Sequence, residues 1–143
     1  MGRIGRRAGS GPRGPLIYLD SSVAIAFLLG ENRQPPERLW LEPICSSRLL
    51  QYEIFNRLHA RKLGDAYIDD ARSFLDRILM AELNPSVLSS ALEPFPVAVR
   101  TLDALHMATM NYFRSKGDEL TLASYDNRLN DAARALDIPL YGF

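Results

Sequence analysis

The spacing of apolar and polar positions divides the chain into short strands and amphipathic helices. Leu16-Ile17-Tyr18-Leu19 is an unbroken apolar run that stops at Asp20, with Ser21 and Ser22 behind it. A run of that length reads as a buried strand, and one of the two serines as the cap of the helix that follows. Ser22 to Leu29 is apolar on nearly every side, as a helix packed against a sheet requires, and Gly30 ends it. Pro35-Pro36 opens a short helix through Leu41 that Pro43 stops, and Ile44 to Ser46 reads as a second strand. Ser46 or Ser47 caps the next helix, which carries Leu50, Ile54 and Leu58 on one face and runs to about Leu63 before Gly64 closes it. Asp65 caps a further helix to about Met80, with Ile68, Ala71, Leu75 and Ile78 as its core face.

Ala81 to Leu83 reads as a brief strand, and Asn84-Pro85 is a cap and first-turn signal for a helix through about Leu92. Thr101 opens a long helix to about Lys116, closed by Gly117. Leu120 to Ser124 is a clear strand, followed by Tyr125-Asp126 and a helix from about Asn127 to Leu136, and Ile138 to Tyr141 forms a last strand. About five strands alternating with helices predict an α/β fold, a mainly parallel sheet with helices on both faces. Open sheets of this kind bind ligands beyond the carboxyl ends of their strands. Asp20 and Asp126 both stand there, each after an apolar strand and before a helix. Glu53 and Asp103 fall in early turns of helices that begin at or near the same edge.

Composition adds one division to this picture. At 143 residues and 47% hydrophobic content the chain is predicted to be a single domain with a core of its own. Its formal net charge is zero, yet residues 1–15 carry Arg3, Arg6, Arg7 and Arg13 and no acid. Removing those four from the 17 basic residues leaves 13 against 17 acidic ones, about −4 for residues 16–143. Residues 1–15 therefore read as a basic, Gly-rich flexible tail or a misassigned start, and residues 16–143 as the folded domain. A mildly acidic domain does not coat long duplexes through charge alone, so any nucleic-acid contact is expected to be local. Arg48, Arg57, Arg61, Arg100, Arg114 and Arg128 are among the basic residues able to touch phosphate, and sequence does not rank them.

Cys45 has no partner for an internal disulfide and reads as a buried thiol in a reducing cytoplasm. Val23 to Leu29 is too short an apolar run to cross a bilayer. Asp20 interrupts the apolar core that a secretion or twin-arginine signal would need.

Each candidate acid also has an ordinary structural role. Glu53 lies four residues before Arg57 and pairs with it on an exposed face, or else lies one turn inside its helix beside the strand ends. Asp103 complements a helix dipole from the first turn, and Asp126 caps a helix. His106 shares the Asp103 face and reads either as a metal ligand or, since an isolated helical histidine usually packs and the expected metal prefers oxygen, as a satisfied packing residue. If the four carboxylates do converge, two charges about 5 Å apart repel by about 3 kcal/mol at an effective dielectric of about 20. A divalent cation removes that penalty, activates water and neutralises charge building on a phosphodiester. The natural reaction class is phosphodiester hydrolysis.

Asp20-Ser21-Ser22, Ser47 through Glu53, Thr101-Leu102-Asp103-Ala104-Leu105-His106-Met107-Ala108-Thr109 and Ala123 through Leu129 together resemble the PIN domain, in particular VapC-like ribonuclease toxins of type II toxin–antitoxin systems. The resemblance covers about Leu16 to Phe143. It implies a magnesium- or manganese-dependent endoribonuclease in which Asp20, Glu53, Asp103 and Asp126 are the catalytic, metal-binding set, with Ser22 and Ser124 as supporting polar residues. It further implies an RNA substrate, a cognate antitoxin covering the active-site groove, a homodimer and a cytoplasmic location. The alternatives are an RNA-processing PIN nuclease without an antitoxin and a non-catalytic PIN-like scaffold. A receiver-like phospho-acceptor domain is disfavoured, because serines follow Asp20 where a second acid is required and the last strand has no lysine.

Overall fold

The computed structural model describes residues 15–143, so the expectation for the basic tail lies outside the described residues. Among the described residues the sheet has four parallel strands, β1 (Leu16–Leu19), β2 (Ile44–Ser47), β3 (Leu79–Ala81) and β4 (Leu120–Ala123), in the order β3-β2-β1-β4. Side chains alternate across a strand, and β1 uses both faces. Ile17 and Leu19 pack with Val23 and Ile25 of α1 (Ser21–Leu28), Leu50, Ile54 and Leu58 of α2 (Leu49–Ala60) and Phe74 of α3 (Gly64–Leu75). Leu16 and Tyr18 face the other way, toward Met107, Met110 and Phe113 of α5 (Thr101–Ser115) and Leu129 of α6 (Asn127–Ala135). The short α4 (Pro85–Ser90) packs on α5. β1 is thereby enclosed on both faces and flanked on both edges.

The strand order moves outward from β1 to β2 and β3, then reverses to place β4 on the opposite side of β1. That reversal opens a crevice at the carboxyl ends of β1 and β4, where doubly wound sheets bind their ligands. The register makes the two strands end together: Leu19 pairs with Ala123, and the Asp20 amide donates to the Ala123 carbonyl at 3.0 Å.

Several boundaries differ from the sequence expectation. The fifth strand reduces to one bridge between Leu122 and Leu140, because Pro139 has no amide to donate and Asp137 turns the chain at φ 59°. Ile78 to Ala81 is continuously apolar and fits helix or strand; α3 stops at Leu75, and β3 forms at Leu79–Ala81 rather than 81–83 because Cys45, Ser46 and Ser47 offer a ladder. Residues Glu37–Leu41 form a 3-10 helix. Neither Ser21 nor Ser22 caps α1. Asp20 itself is the N-cap, with φ −88° and ψ 152°, and accepts from the Ser22 amide. At α2 the Ser47 hydroxyl accepts from the Leu49 amide at 3.1 Å. Lys62, at φ 59°, turns the chain after α2, which frees Gly64 to begin α3 and puts Asp65 in its first turn instead of at its cap. A side chain at Gly64 would meet the His59 ring at 3.2 Å. Asn84 caps α4 through a 2.9 Å bond from the Val87 amide, with Pro85 at the first helical position, as predicted.

Candidate active site

Asp20 reaches the site because the apolar register of β1 runs out there. Its carboxylate is only 6% exposed. A charge that desolvated needs hydrogen-bond donors. The Ser22 hydroxyl donates to Oδ2 at 2.6 Å, the Ser124 hydroxyl donates to the same oxygen at 2.8 Å, and the Ser22 amide completes the set at 3.4 Å. All three bonds fall on Oδ2. Oδ1 receives none among the described residues, so the serines fix the carboxylate while leaving one oxygen uncommitted.

The same two hydroxyls stitch the junctions of β1 and β4 together. Ser22 Oγ accepts from the Tyr125 amide at 2.9 Å, and Ser124 Oγ accepts from the Asp126 amide at 2.9 Å. Asp126 caps α6 by accepting from the Arg128 amide at 2.9 Å, and it remains exposed.

Glu53 does not pair with Arg57 among the described residues. Its carboxylate accepts from His106 Nε2, at 3.1 and 3.2 Å to its two oxygens, and its side chain is 20% exposed. His106 is buried, and its Nδ1 lies 2.7 Å from the Tyr18 hydroxyl. With Nε2–H donating to Glu53, Nδ1 accepts from Tyr18. Burial lowers the proton affinity of His106, but the hydrogen bond and charge of Glu53, with Asp20 and Asp103 behind them, raise it above its ordinary value. Full burial, then Cys45, Glu53 and Asp20, push the Tyr18 hydroxyl well above its usual range and keep it a neutral donor. Tyr18, His106 and Glu53 form one relay from the core to the site.

Ligand atoms of Asp20, Glu53 and His106 lie within 4.8 Å of one another. Asp103, half-buried in the first turn of α5, lines the same cleft, and its Oδ2 is buried without a hydrogen-bond partner among the described residues. Asp103 and Asp126 stand outside that tight cluster but share its cleft, and an orphaned carboxylate oxygen lining a cleft with clustered carboxylates is what a divalent cation would satisfy; an oxygen-rich donor set suits magnesium or manganese. The residues fit such an ion. Asp126 lines the cleft from its exposed side, so all four acids expected from the sequence border one cavity of about 850 Å³.

Five arginines also line it: Arg33, Arg57, Arg61, Arg100 and Arg128. Of these, Arg61 alone has a carboxylate partner among the described residues, Glu31 at 3.1 Å. Arg48 and Arg114 are occupied elsewhere, by Glu82 at 2.6 Å and the Leu136 carbonyl at 2.9 Å. Sequence reasoning missed Tyr18 and Arg33. The signal for Tyr18 was a single hydroxyl in an otherwise apolar strand; Arg33 carried none.

An acidic cleft at the switch point of a parallel sheet, with its first carboxylate strapped by two serines, defines a class. Residues 17–135 match the family model described as the PIN domain, and the chain belongs to that family. Among similar proteins is Ribonuclease VapC46 of Mycobacterium tuberculosis, 32% identical over 123 residues, covering 84% of this chain and 92% of the relative. Ribonuclease VapC47 of the same species is 30% identical over 127 residues, covering 83% and 90%. A crystal structure of M. tuberculosis VapC20, described as a Sarcin-Ricin loop cleaving toxin, shares the fold with a TM-score of 0.63 at 21% identity, covering 81% of this chain and 94% of that one.

Proposed function

We propose that this protein is a metal-dependent endoribonuclease that acts as the toxin of a toxin–antitoxin pair. The observation that carries the reading is the Asp20 carboxylate, held on one oxygen by Ser22 and Ser124, clustered with Glu53 and sharing its cleft with the orphaned Asp103 oxygen, in a chain similar to ribonucleases named VapC. Asp20, Glu53, Asp103 and Asp126 are the metal-binding set. A bound magnesium or manganese ion supplies Lewis acidity toward the phosphodiester and a more acidic water.

The chain's own residues do the rest. Ser22 and Ser124 hold Asp20 in one orientation, and His106, backed by Tyr18, sets the angle of Glu53 as an outer-shell partner does. Asp126, still exposed, orients water or phosphate at the open side of the cleft. The arginines of the rim receive the flanking phosphates. Residues 16–143 form the nuclease domain, which works in the cytoplasm as a homodimer; a cognate antitoxin silences it by covering the acidic cleft. Among the described residues no helix is long and apolar enough to cross a membrane.

The test is cleavage of a structured RNA with magnesium or manganese, before and after chelation. Chelator, Asp20→Asn and Asp103→Asn should each abolish cutting. Undiminished cutting by either variant would overturn the metal assignment.

A further inference from the structure

Tyr125 occupies a singular position between Ser124 and Asp126. Its amide is tied to Ser22 Oγ, so the network that fixes Asp20 also fixes this residue. The Arg33 guanidinium lies 4.0 Å from the Tyr125 ring centroid. Phe143 stacks obliquely on Tyr125, centroids 4.8 Å apart at 42°, and Tyr141 follows at 5.1 Å and 69°. Beyond it Arg38 sits 5.7 Å over Tyr141 and donates to the Gly142 carbonyl at 2.7 Å. Cation and ring therefore run in one strip, from Arg33 and Tyr125 at the edge of the acidic cleft out to the surface, where Phe143 is 42% exposed.

Tyr125 and Tyr141 pack one side against the core, while Phe143 and Arg33 stand at the exposed edge of the strip. Arg33 is exposed and has no carboxylate partner among the described residues, although Glu31 is nearby in sequence and pairs instead with Arg61. Its charge stays available while its plane rests on a ring. Aromatic faces and guanidinium planes beside a cationic groove are the surface on which unpaired nucleobases stack, whereas a duplex keeps its base faces to itself. The metal-site reading already calls for a phosphodiester in the cleft, and a strand entering there would lay its next bases on this strip.

We propose that Arg33, Tyr125, Phe143 and Tyr141 form a stacking track for single-stranded RNA that leads out of the acidic cleft. The proposal rests on the nuclease reading and deepens it: the substrate is an unpaired segment, gripped through its bases on one side of the cut. Arg33 and the rim residues Arg57, Arg100 and Arg128 take its phosphates. The track reads the presence of a base face, not its hydrogen-bonding edge, so it prefers unpaired RNA without choosing a sequence.

The experiment uses a fluorescent, unstructured RNA of about 12 nucleotides that the wild-type chain cuts, together with a version of it lacking the bases that flank the cut. The size of the expected effect follows from stacking energies measured per base. Binding is followed by anisotropy in the Asp20→Asn background without metal, and folding by thermal melting. Phe143→Ala should weaken binding of the intact RNA about 10-fold and leave binding of the base-deleted RNA unchanged, and Arg33→Ala, which removes a charge as well as a plane, should weaken the intact RNA by clearly more than the base-deleted one. Tyr125→Phe should bind as the parent does and Tyr125→Ala should not. Equal loss on both RNAs would make the strip a charge contact and overturn the stacking. Unchanged binding by Phe143→Ala and Arg33→Ala, with wild-type cutting intact, would end the track and leave the nuclease standing. A wild-type chain that neither binds nor cuts RNA would end both.

Discussion

β1 and β4 leave the sheet side by side, and each delivers an aspartate followed by a helix. The sequence grammar is the same, but the environments are not. Asp20 is 6% exposed and accepts three hydrogen bonds on one oxygen, two of them from serine hydroxyls. Asp126 is exposed and accepts one bond, from the Arg128 amide. The contrast follows from where the strands stand. β1 is flanked by β2 and β4, whereas among the described residues β4 has only the Leu140 bridge on its outer side. A carboxylate at the central junction is desolvated and must be strapped; one at the edge keeps its water. Equivalent positions in two βα units can thus carry a fixed carboxylate and an adjustable one.

Four measurements break or sharpen that contrast. Asp20→Asn should lower both cleavage rate and manganese affinity by at least about 100-fold, the upper end for losing an outer-shell partner, as read by steady-state cleavage and titration calorimetry. Ser124→Ala, which releases Asp20 Oδ2 and the Asp126 amide together, should cost about 10- to 100-fold in the same assays. If it costs no more than a surface substitution, the strap is idle. Asp126→Asn should lose about 10-fold, within the range for an outer-shell change, with an almost unaltered melting midpoint because asparagine caps helices as well as aspartate. A loss matching that of Asp20→Asn would erase the distinction between centre and edge. The smallest effect is on stability: in chelator, Asp103→Asn should raise the midpoint by about 3 °C, for about 1 kcal/mol of relieved burial and repulsion. A lower midpoint would show that the orphaned oxygen has a stabilising partner.

The strand ends were legible because a buried parallel strand must be apolar, and a carboxylate that terminates one stands out. Asp20 and Asp126 fall into that group, as do the sheet's parallel character and the Asn84-Pro85 start of α4. Glu53 was not legible. Its spacing to Arg57 fits an exposed helical pair as well as a site residue, and only the contact with α5, 53 positions later in sequence, decides. The Tyr18–His106 bond spans 88 positions, and no local pattern announces it. Boundaries shifted where apolar runs fit two periods, as at Ile78 to Ala81, or where a left-handed residue other than glycine made the turn, as at Lys62. In each case a long-range partner overruled the local preference.

The strap on Asp20 also has a meaning in time. Its Ser124 half lies 104 residues downstream in the chain. β1 is made well before β4, and until β4 has been made the first carboxylate lacks one of its two flanking strands and one of its two hydroxyl donors. Nascent chains fold as their units are completed, so the candidate site cannot close before β4 has been made. A partly made copy that stops short of β4 therefore has Asp20 without its strap.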